Sequence, residues 1–298
     1  MKMILINELS ELFFNQIENI ERLSGNTLES YKRDIHKFID FLSDKNILKI
    51  DEIKERHIRL FLMELNNSEL SRTSISRHLS TLRKFFHFCI INDYIENSPI
   101  ENISNPKYKR KLPETLLVDS YEEIFRFIDG KYEIKESKRV KVIFELLYGC
   151  ALRVTELCML DIGNIDMMKK SIRVLGKGSK TRIVPIGDKS ILVIKDYIKE
   201  FNPTGRINPF LYDKKEERTN RQQIYHLVNK ILSNVSDIKK KSPHILRHAA
   251  ATHMLDRDAD LIAIKELLGH ENLSTTQIYT HVSIEKLKKS YKKAHPKS

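Results

Sequence analysis

The sequence predicts a mainly α-helical protein with one small β-sheet, divided into two domains. Through most of the chain, apolar residues recur every three or four positions, as they do on one face of an α-helix. Two short β-type runs, 171–175 and 182–186, are joined by a turn containing two glycines. Between Pro106 and Pro113 lies a basic segment in which no helix can continue, so the domain boundary is predicted there.

Length and composition exclude several classes of protein. A chain of 298 residues is long enough for about two domains with sizeable cores. The first apolar run is too short for a signal peptide, and no run approaches the roughly 18 apolar residues of a membrane span. Cys89, Cys150 and Cys158 lie in apolar helical patterns, which indicates buried, reduced thiols. We therefore expect a cytoplasmic protein.

Residues 1–106 are predicted to form a domain of four amphipathic helices. The first two helices carry apolar stripes over residues 9–20 and 28–42. A third helix is predicted over Asp51–Asn66, and a fourth from a cap at Ser71 or Thr73 to about Asn92. The polar face of the fourth helix gathers five basic side chains, namely Arg72, Arg77, His78, Arg83 and Lys84.

Positive charge is concentrated in the second part of the chain. Residues 1–106 hold 14 Lys and Arg against 16 Asp and Glu, whereas residues 107–298 hold 38 against 24. A basic half points to a polyanionic partner, most often a nucleic acid, although a solvated lysine-rich surface is the alternative on charge alone. DNA contacts are predicted on the fourth helix and in an extended linker, 107–112, at Arg72, Arg77, Arg83, Lys84, Lys107, Lys109, Arg110 and Lys111.

The second domain, 113–298, begins with helices predicted over Val118–Asp129 and about Glu136–Tyr148. Arg153 and Glu156 follow three residues apart, on one predicted helical face. They form either a structural ion pair or an arginine held in place for an anionic ligand. The two β-type runs predict a hairpin that exposes Lys177 at its tip. Further helices are predicted around residues 190–201 and 220–233.

The segment from Ser242 onward concentrates residues that could do chemistry. Ser242 and Pro243 are start signals for a helix that carries His244 and Arg247 near its N-terminus, where backbone N–H groups favour an anion. A helix over 261–268 is predicted to end at Gly269 and to leave His270 just beyond it. A short helix carrying Tyr279 and a lysine-rich tail follow.

These residue types suit the transfer of a phosphoryl group. Arg153 and Arg247 could bind phosphate oxygens in pairs while remaining charged. Lys177 could protonate the leaving oxygen as a general acid. The full candidate catalytic set is Arg153, Lys177, His244, Arg247, His270 and Tyr279.

Tyr279 is the candidate nucleophile. His244 could accept its phenolic proton or bind the phosphate, with His270 as a further donor. A phosphotyrosine ester conserves the energy of the broken bond, so neither ATP nor a metal is needed. A tyrosine on an amphipathic helix is ordinarily a packing residue. The five histidines from His244 to His281 also call for a check on zinc, which the absence of H-E-x-x-H and Cys-x-x-Cys disfavours.

The chain resembles the tyrosine recombinases, or phage integrase family, and most closely their Xer-type members. The motifs are R-V-T-E-L at Arg153, G-K-G at Lys177, H-x-L-R at His244–Arg247, L-G-H at His270 and I-Y-T-H-V at Tyr279. The resemblance covers nearly the whole chain. It implies an N-terminal helical SAM-like core-binding domain and a C-terminal α+β catalytic domain that close around DNA. Glu156 matches an acidic residue that supports the site in relatives.

The resemblance also implies a reaction course. Cleavage would give a 3′-phosphotyrosine and a free 5′-hydroxyl, and strands would exchange through a Holliday junction in a homo- or hetero-tetramer with cyclic exchange of C-terminal tails. The implied role is chromosome dimer resolution at cell division, with a DNA translocase as a candidate activator. Open alternatives are a small integrase of a mobile element, a type IB topoisomerase-like enzyme, and a DNA-binding architectural protein without chemistry.

Overall fold

A computed structural model describes residues 4–19, 25–106, 116–176, 181–205, 207–213, 215–269, 291 and 293–296. The chain folds as two compact units, Met1–Lys111 and Leu112–Ser298. Helices dominate both units, and a three-stranded sheet lies in the second. The predicted mainly α fold class with a small sheet is thus confirmed.

The first unit contains four helices whose apolar stripes meet in one core. They are α1 (Ile6–Asn19), α2 (Gly25–Ser43), α3 (Glu55–Asn67) and α4 (Arg72–Ile91). Phenylalanines from three of these helices meet at the centre: the ring centroid of Phe38 lies 5.0 Å from that of Phe61 and 6.2 Å from that of Phe86. Burying such large rings is the main source of stability for a domain of this size.

Two details of the first unit differ from the sequence prediction. The third helix begins at Glu55 rather than Asp51, because Ile50–Glu52 form a separate 3₁₀ turn. His78 is 4% exposed and therefore belongs to the buried side of α4, not to its basic face. The predicted cap of α4 is confirmed, since the Ser71 hydroxyl accepts a hydrogen bond from the backbone N–H of Ser74 at 3.1 Å.

The second unit is built around one buried helix. Its helices are α5 (Val118–Lys131), α6 (Ile134–Tyr148), α7 (Val154–Cys158), α8 (Asp188–Phe201), α9 (Arg221–Val235), α10 (Pro243–Leu255) and α11 (Leu261–Leu268). Helix α6 packs against α5, α8 and α10, and its second half is buried without interruption from Val142 to Tyr148, including the carboxylate of Glu145. None of the described helices has the length and apolar character needed to cross a membrane. The three cysteines are buried and unpaired, as predicted.

The sheet consists of three antiparallel strands in the order β1 (Ile165–Asp166), β2 (Ser171–Leu175) and β3 (Thr181–Pro185). Ser171 faces Pro185 and Leu175 faces Thr181 across the predicted hairpin. The two long strands are thus confirmed, although the second begins and ends one residue earlier than predicted, and Lys177 at the turn lies outside the described residues. Strand β1 was not predicted, because two residues are too few to show an alternating pattern.

The expectation that Arg153 and Glu156 share a helical face is wrong. Ala151 adopts a left-handed backbone (φ 49°), so the chain changes direction between α6 and α7. Arg153 is therefore the extended residue that precedes α7, and Glu156 is the third helical residue. In this arrangement the Glu156 carboxylate turns back and accepts the backbone N–H of Arg153 at 2.7 Å.

The described part of the C-terminal tail packs on the second unit of the same chain. Tyr291, Ala294 and His295 are almost fully buried. The Tyr291 hydroxyl donates to the carbonyl of Gly149, and the rings of Tyr291 and His295 stack at 4.6 Å. The tail thus has a docking site within its own chain, and its exchange with a neighbouring protomer stays a prediction.

Candidate functional site

The N-terminus of α10 presents His244 outward and Arg247 inward. Ser242 occupies the N-cap position and Pro243 the first helical position, as the sequence predicts, although the Ser242 side chain makes no capping hydrogen bond. His244 lies one residue further along and is exposed. Arg247 is one turn beyond and only 6% exposed, which puts a guanidinium group inside the unit.

A single carboxylate, that of Glu156, connects three arginines. Its Oε1 accepts hydrogen bonds from Arg153 at 2.8 Å and from Arg182 at 2.6 Å. Its Oε2 accepts a second hydrogen bond from Arg182 at 2.8 Å and lies 3.6 Å from Nη1 of Arg247. The paired geometry of the Arg182–Glu156 contact gives both strength and orientation.

The C-terminal end of α11 binds the same three arginines through successive backbone carbonyls. Arg182 donates to the carbonyl of Leu267 at 2.9 Å, Arg247 to that of Leu268, and Arg153 to that of Gly269 at 2.8 Å. The last carbonyls of a helix lack partners within the helix, and its dipole favours cations there. The arginines therefore fix the point at which the chain leaves α11.

The cluster of Arg153, Glu156, Arg182 and Arg247 has a surplus of two positive charges. Burial alone would raise the pKa of the Glu156 carboxyl, but hydrogen bonds from Arg182 and Arg153 outweigh it and lower the pKa to about 2. Burial, together with the nearby Arg153, lowers the pKa of Arg247 to about 9. Because a guanidinium group stays charged in proteins, the cluster keeps its surplus of positive charge and attracts an anion.

Arg153 is the most accessible of the three arginines, with 29% of its side chain exposed against 8% for Arg247. A guanidinium carries five N–H groups. Arg247 uses one on the carbonyl of Ala151 and one on that of Leu268. Arg153 uses one on Glu156 and one on the carbonyl of Gly269, so the described residues account for only part of the donors of each arginine.

His244 has the protonation state that a general base requires. Partial desolvation lowers its pKa below the ordinary 6.5, and the positive charges of Arg247 and Arg153 lower it further. The ring is therefore neutral at pH 7 and can accept a proton. The Tyr225 ring approaches it edge-on, with centroids 6.4 Å apart.

Of the predicted catalytic residues, the structure brings Arg153 and Arg247 together at the supporting residue Glu156, with His244 on the same helix as Arg247. Lys177, His270 and Tyr279 lie outside the described residues. The described chain flanks two of them closely. Strand β2 ends at Leu175, shortly before Lys177, and β3 begins at Thr181. Gly269, whose φ is 58°, immediately precedes His270, as predicted.

Sequence reasoning missed Arg182. It is the second residue of β3, and an arginine in a short strand is ordinarily on the solvated face. Its side chain is instead only 14% exposed and reaches Glu156, 26 residues away in sequence. No local signal identifies this contact, because the partner belongs to a different element.

The basic residues of α4 differ in what they contact. Arg77 pairs with buried Asp34 at 2.5 Å but keeps 45% of its side chain exposed. Arg83 donates to Asn105 at 2.7 Å and to the carbonyl of Ile103 at 2.5 Å, so it anchors the end of the first unit. Arg72 is exposed, and the Lys84 ammonium lies 5.6 Å from the ring centroid of Tyr31. The predicted linker contacts Lys107, Lys109, Arg110 and Lys111 lie outside the described residues.

Comparisons with known proteins show which family the chain is similar to. The profile of the "Phage integrase family" matches residues 114–286, and that of the "Phage integrase, N-terminal SAM-like domain" matches residues 11–92. The chain is 35% identical to "Tyrosine recombinase XerD" of Staphylococcus epidermidis over 98% of its own length and 100% of that protein. It is also 35% identical to "Tyrosine recombinase XerC" of Staphylococcus aureus, covering 98% of each.

Among solved structures, the fold is similar to that of the Tn1549 transposon integrase in complex with transposon right end DNA. The TM-score is 0.71 at 19% identity, and the match covers 96% of this chain and 98% of that one. Because the identity is low, this likeness concerns the fold.

Proposed function

We propose that this chain, which belongs to the phage integrase family of tyrosine recombinases, cleaves and rejoins DNA at a specific site. Membership is shown by the family profile over 114–286 and by relatives 35% identical over nearly the full length, and it confirms the resemblance seen in the sequence motifs. The family consists of DNA breaking and rejoining enzymes. The observation that carries the proposal is the convergence of Arg153 and Arg247 on Glu156, beside a neutral His244.

The arginine cluster would bind the scissile phosphate. Arg153 and Arg247 would donate to its non-bridging oxygens, where negative charge increases in the transition state. Glu156 keeps the two guanidinium groups oriented without neutralising the site, because the cluster retains a surplus of two positive charges. Removing one preorganised donor of this kind costs roughly 10²–10³ in rate.

The remaining roles follow from the chemistry of the side chains. The hydroxyl oxygen of Tyr279 would attack phosphorus while the bond to the 5′-oxygen breaks. His244 would accept the phenolic proton and Lys177 would protonate the 5′-oxygen, with His270 as a further donor to the phosphate. The products are a 3′-phosphotyrosyl ester and a free 5′-hydroxyl, and the reverse steps rejoin the strands. No ATP or metal enters this balance.

A covalent capture experiment tests the proposal and also supplies the target site. The protein is incubated with fragmented genomic DNA of its source organism, denatured, and the DNA that remains attached is sequenced. We expect one enriched sequence with the wild type and none with Tyr279→Phe.

Tyr225→Phe is the matched control, because the exposed Tyr225 lies beside His244. It should still form the adduct. An adduct that survives Tyr279→Phe and disappears with Tyr225→Phe would refute the assigned nucleophile. Relaxation of supercoiled plasmids that lack the enriched sequence would instead support topoisomerase-like activity.

The first unit is proposed to hold the duplex through the basic residues of α4. Arg72, Arg77 and Lys84 carry this proposal more directly than Arg83, whose guanidinium is bonded to Ile103 and Asn105. The linker residues Lys107, Lys109, Arg110 and Lys111 would follow the phosphate backbone. We place the boundary between core-binding and catalytic domains in this linker, at residues 107–112.

The biological role is proposed from the relatives. Proteins named XerD and XerC resemble this chain over nearly their whole length, which favours chromosome dimer resolution at cell division over mobile-element integration. The enzyme would act in the cytoplasm as a homo- or hetero-tetramer with exchanged C-terminal tails, and a DNA translocase would activate it. An enriched sequence near the replication terminus supports this role, whereas enrichment at the ends of a mobile element contradicts it.

A further inference from the structure

Arg182 lies where three parts of the proposed site meet. It belongs to β3, which begins directly after the turn carrying Lys177. Its guanidinium binds both carboxylate oxygens of Glu156, at 2.6 and 2.8 Å. Its Nε donates to the carbonyl of Leu267 at 2.9 Å, near the end of α11. The side chain thus joins the hairpin, α7 and α11 within one unit.

Arg182 determines how Glu156 meets the other two arginines. Because Arg182 occupies both carboxylate oxygens, the carboxylate plane is fixed, with Oε1 toward Arg153 and Oε2 toward Arg247. Among the contacts that keep Glu156 ionised despite its burial, the hydrogen bonds from Arg182 are the largest, and they help to lower its pKa to about 2. Without Arg182, the Glu156 carboxylate could rotate, and Arg153 and Arg247 would no longer be oriented by the same group.

The close approach of Arg182 to Gly269 supports a positioning role. A Cβ atom at position 269 would come within 3.2 Å of Cδ and Nη1 of Arg182. The glycine therefore permits the arginine to lie against the backbone that leads to His270. Arg182 thus belongs to the strand that follows the Lys177 turn and lies against the glycine that precedes His270, and both Lys177 and His270 are candidate catalytic residues.

We infer that Arg182 is a positioning residue for DNA cleavage, which acts through Glu156 to align Arg153 and Arg247 on the phosphate. This inference rests on the proposed function. Among the residues that the structure describes, the hydrogen bonds donated by Arg182 go to Glu156 and Leu267, so its proposed role is to position other groups. Its loss should slow the chemical step while leaving DNA affinity nearly unchanged.

The test is single-turnover cleavage of a nicked suicide duplex that carries the sequence recovered by covalent capture. At saturating DNA, Arg182→Gln should cleave about 100-fold more slowly than wild type, with its Kd for the duplex changed by less than about threefold. Arg182→Lys keeps the charge but cannot bind both carboxylate oxygens, so its rate should fall between those of wild type and Arg182→Gln.

Arg218 provides a matched control in the same unit. It pairs with Asp161 at 2.6 Å and donates to the carbonyls of Cys158 and Leu160, much as Arg182 contacts Glu156 and Leu267. Because the Arg218 side chain is 34% exposed against 14% for Arg182, Arg218→Gln should lower the melting temperature less than Arg182→Gln does, and it should cleave at nearly the wild-type rate. An equal loss of cleavage in both variants would show that Arg182 serves only as a structural partner of Glu156, and it would overturn the inference.

A double-mutant cycle tests the route through Glu156. Because Arg182 acts through that carboxylate, adding Arg182→Gln to Glu156→Gln should slow cleavage little further. Fully additive losses would overturn the inference, as would an Arg182→Gln variant that cleaves like wild type.

If Arg182→Gln does not fold, the cleavage rates of Arg182→Lys and Arg218→Lys are compared instead. A slower rate for Arg182→Lys alone supports the inference, and equal rates overturn it. A wild type without adduct refutes the proposed function and this inference together, whereas a normal adduct with Arg182→Gln refutes only the inference.

Discussion

Glu156 shows how one buried carboxylate can organise a cationic site. Three guanidinium groups in one place repel one another, and the carboxylate between them offsets part of that repulsion. Removing one member of a buried ion network leaves the remaining charges without compensation. This usually destabilises the folded protein by more than the lost interaction had contributed to its stability. The same residue therefore supports both folding and the orientation of the proposed phosphate donors.

The stability that Glu156 contributes should depend on pH in a defined direction. Its pKa of about 2 in the folded chain lies below the ordinary value of 4.5, so its contribution is complete above pH 4.5 and is lost as the pH falls toward 2. The difference in free energy of unfolding between wild type and Glu156→Gln should be about 3 kcal/mol at pH 7. Urea denaturation at pH 7 and pH 3.5 measures it, and a difference independent of pH would contradict the assignment.

Glu200 serves as the control for that experiment. Its carboxylate pairs with Lys138 at 2.6 Å near the surface, where solvent screens ion pairs. Glu200→Gln should therefore change stability much less than Glu156→Gln at every pH.

His244 should impose an acid limit on cleavage. Its pKa lies below the ordinary 6.5, so the neutral ring dominates at pH 7 and protonation begins only at lower pH. The single-turnover rate should be level near neutral pH and fall about tenfold per pH unit below the pKa of His244. His244→Gln should be slower and should lack this limb, and an unchanged acid limb in that variant would exclude His244 as the base.

Helix α11 depends on its C-terminal glycine. Gly269 ends the helix in the left-handed conformation, which residues with a Cβ adopt at a cost. The three arginine hydrogen bonds to Leu267, Leu268 and Gly269 require this end to stay where it is. A short helix of eight residues has little stability of its own and relies on such tertiary contacts.

Gly269→Ala should therefore impair both stability and cleavage. The left-handed backbone costs about 1–2 kcal/mol with a Cβ present, and the new atom would press on Arg182 at 3.2 Å. Thermal unfolding and adduct formation measure the two effects. Gly130→Ala in α5 is the control, since nothing lies within 4 Å of its Cβ position and alanine favours a helix there. A loss of stability equal in both variants would contradict this account.

The two units divide the proposed work. The second contains the arginine cluster and most of the positive net charge, whereas residues 1–106 of the first are slightly acidic, with Arg72, Arg77, Arg83 and Lys84 together on α4. A unit whose net charge is close to zero can bind DNA only where local charge is positive, which makes the exposed side of α4 its proposed contact. Affinity that depends on phosphate contacts must fall with salt.

Substitutions on α4 should change that salt dependence. Lys84→Gln should weaken binding to any duplex and reduce the slope of log K against log salt by about 1. Lys45→Gln is the control, because Lys45 also lies over an aromatic ring, that of Phe41, but outside α4. Filter binding at several salt concentrations measures both, and an unchanged slope for Lys84→Gln would refute the proposed DNA-facing side. Arg77 is a poorer choice, since its removal leaves buried Asp34 without that partner.

Local patterns were sufficient to predict most of the helices, the hairpin and the identity of the candidate catalytic residues. Apolar periodicity, the Ser71 cap and the Gly269 stop act over a few residues, so they can be read along the chain. The shared role of Glu156 could not be read in this way. Its partners come from the residue before α7, from β3 and from α10, and the carbonyl that Arg153 binds lies 116 residues away. Arg182 became a candidate only once folding brought these segments together, because a buried charge is defined by what surrounds it in space.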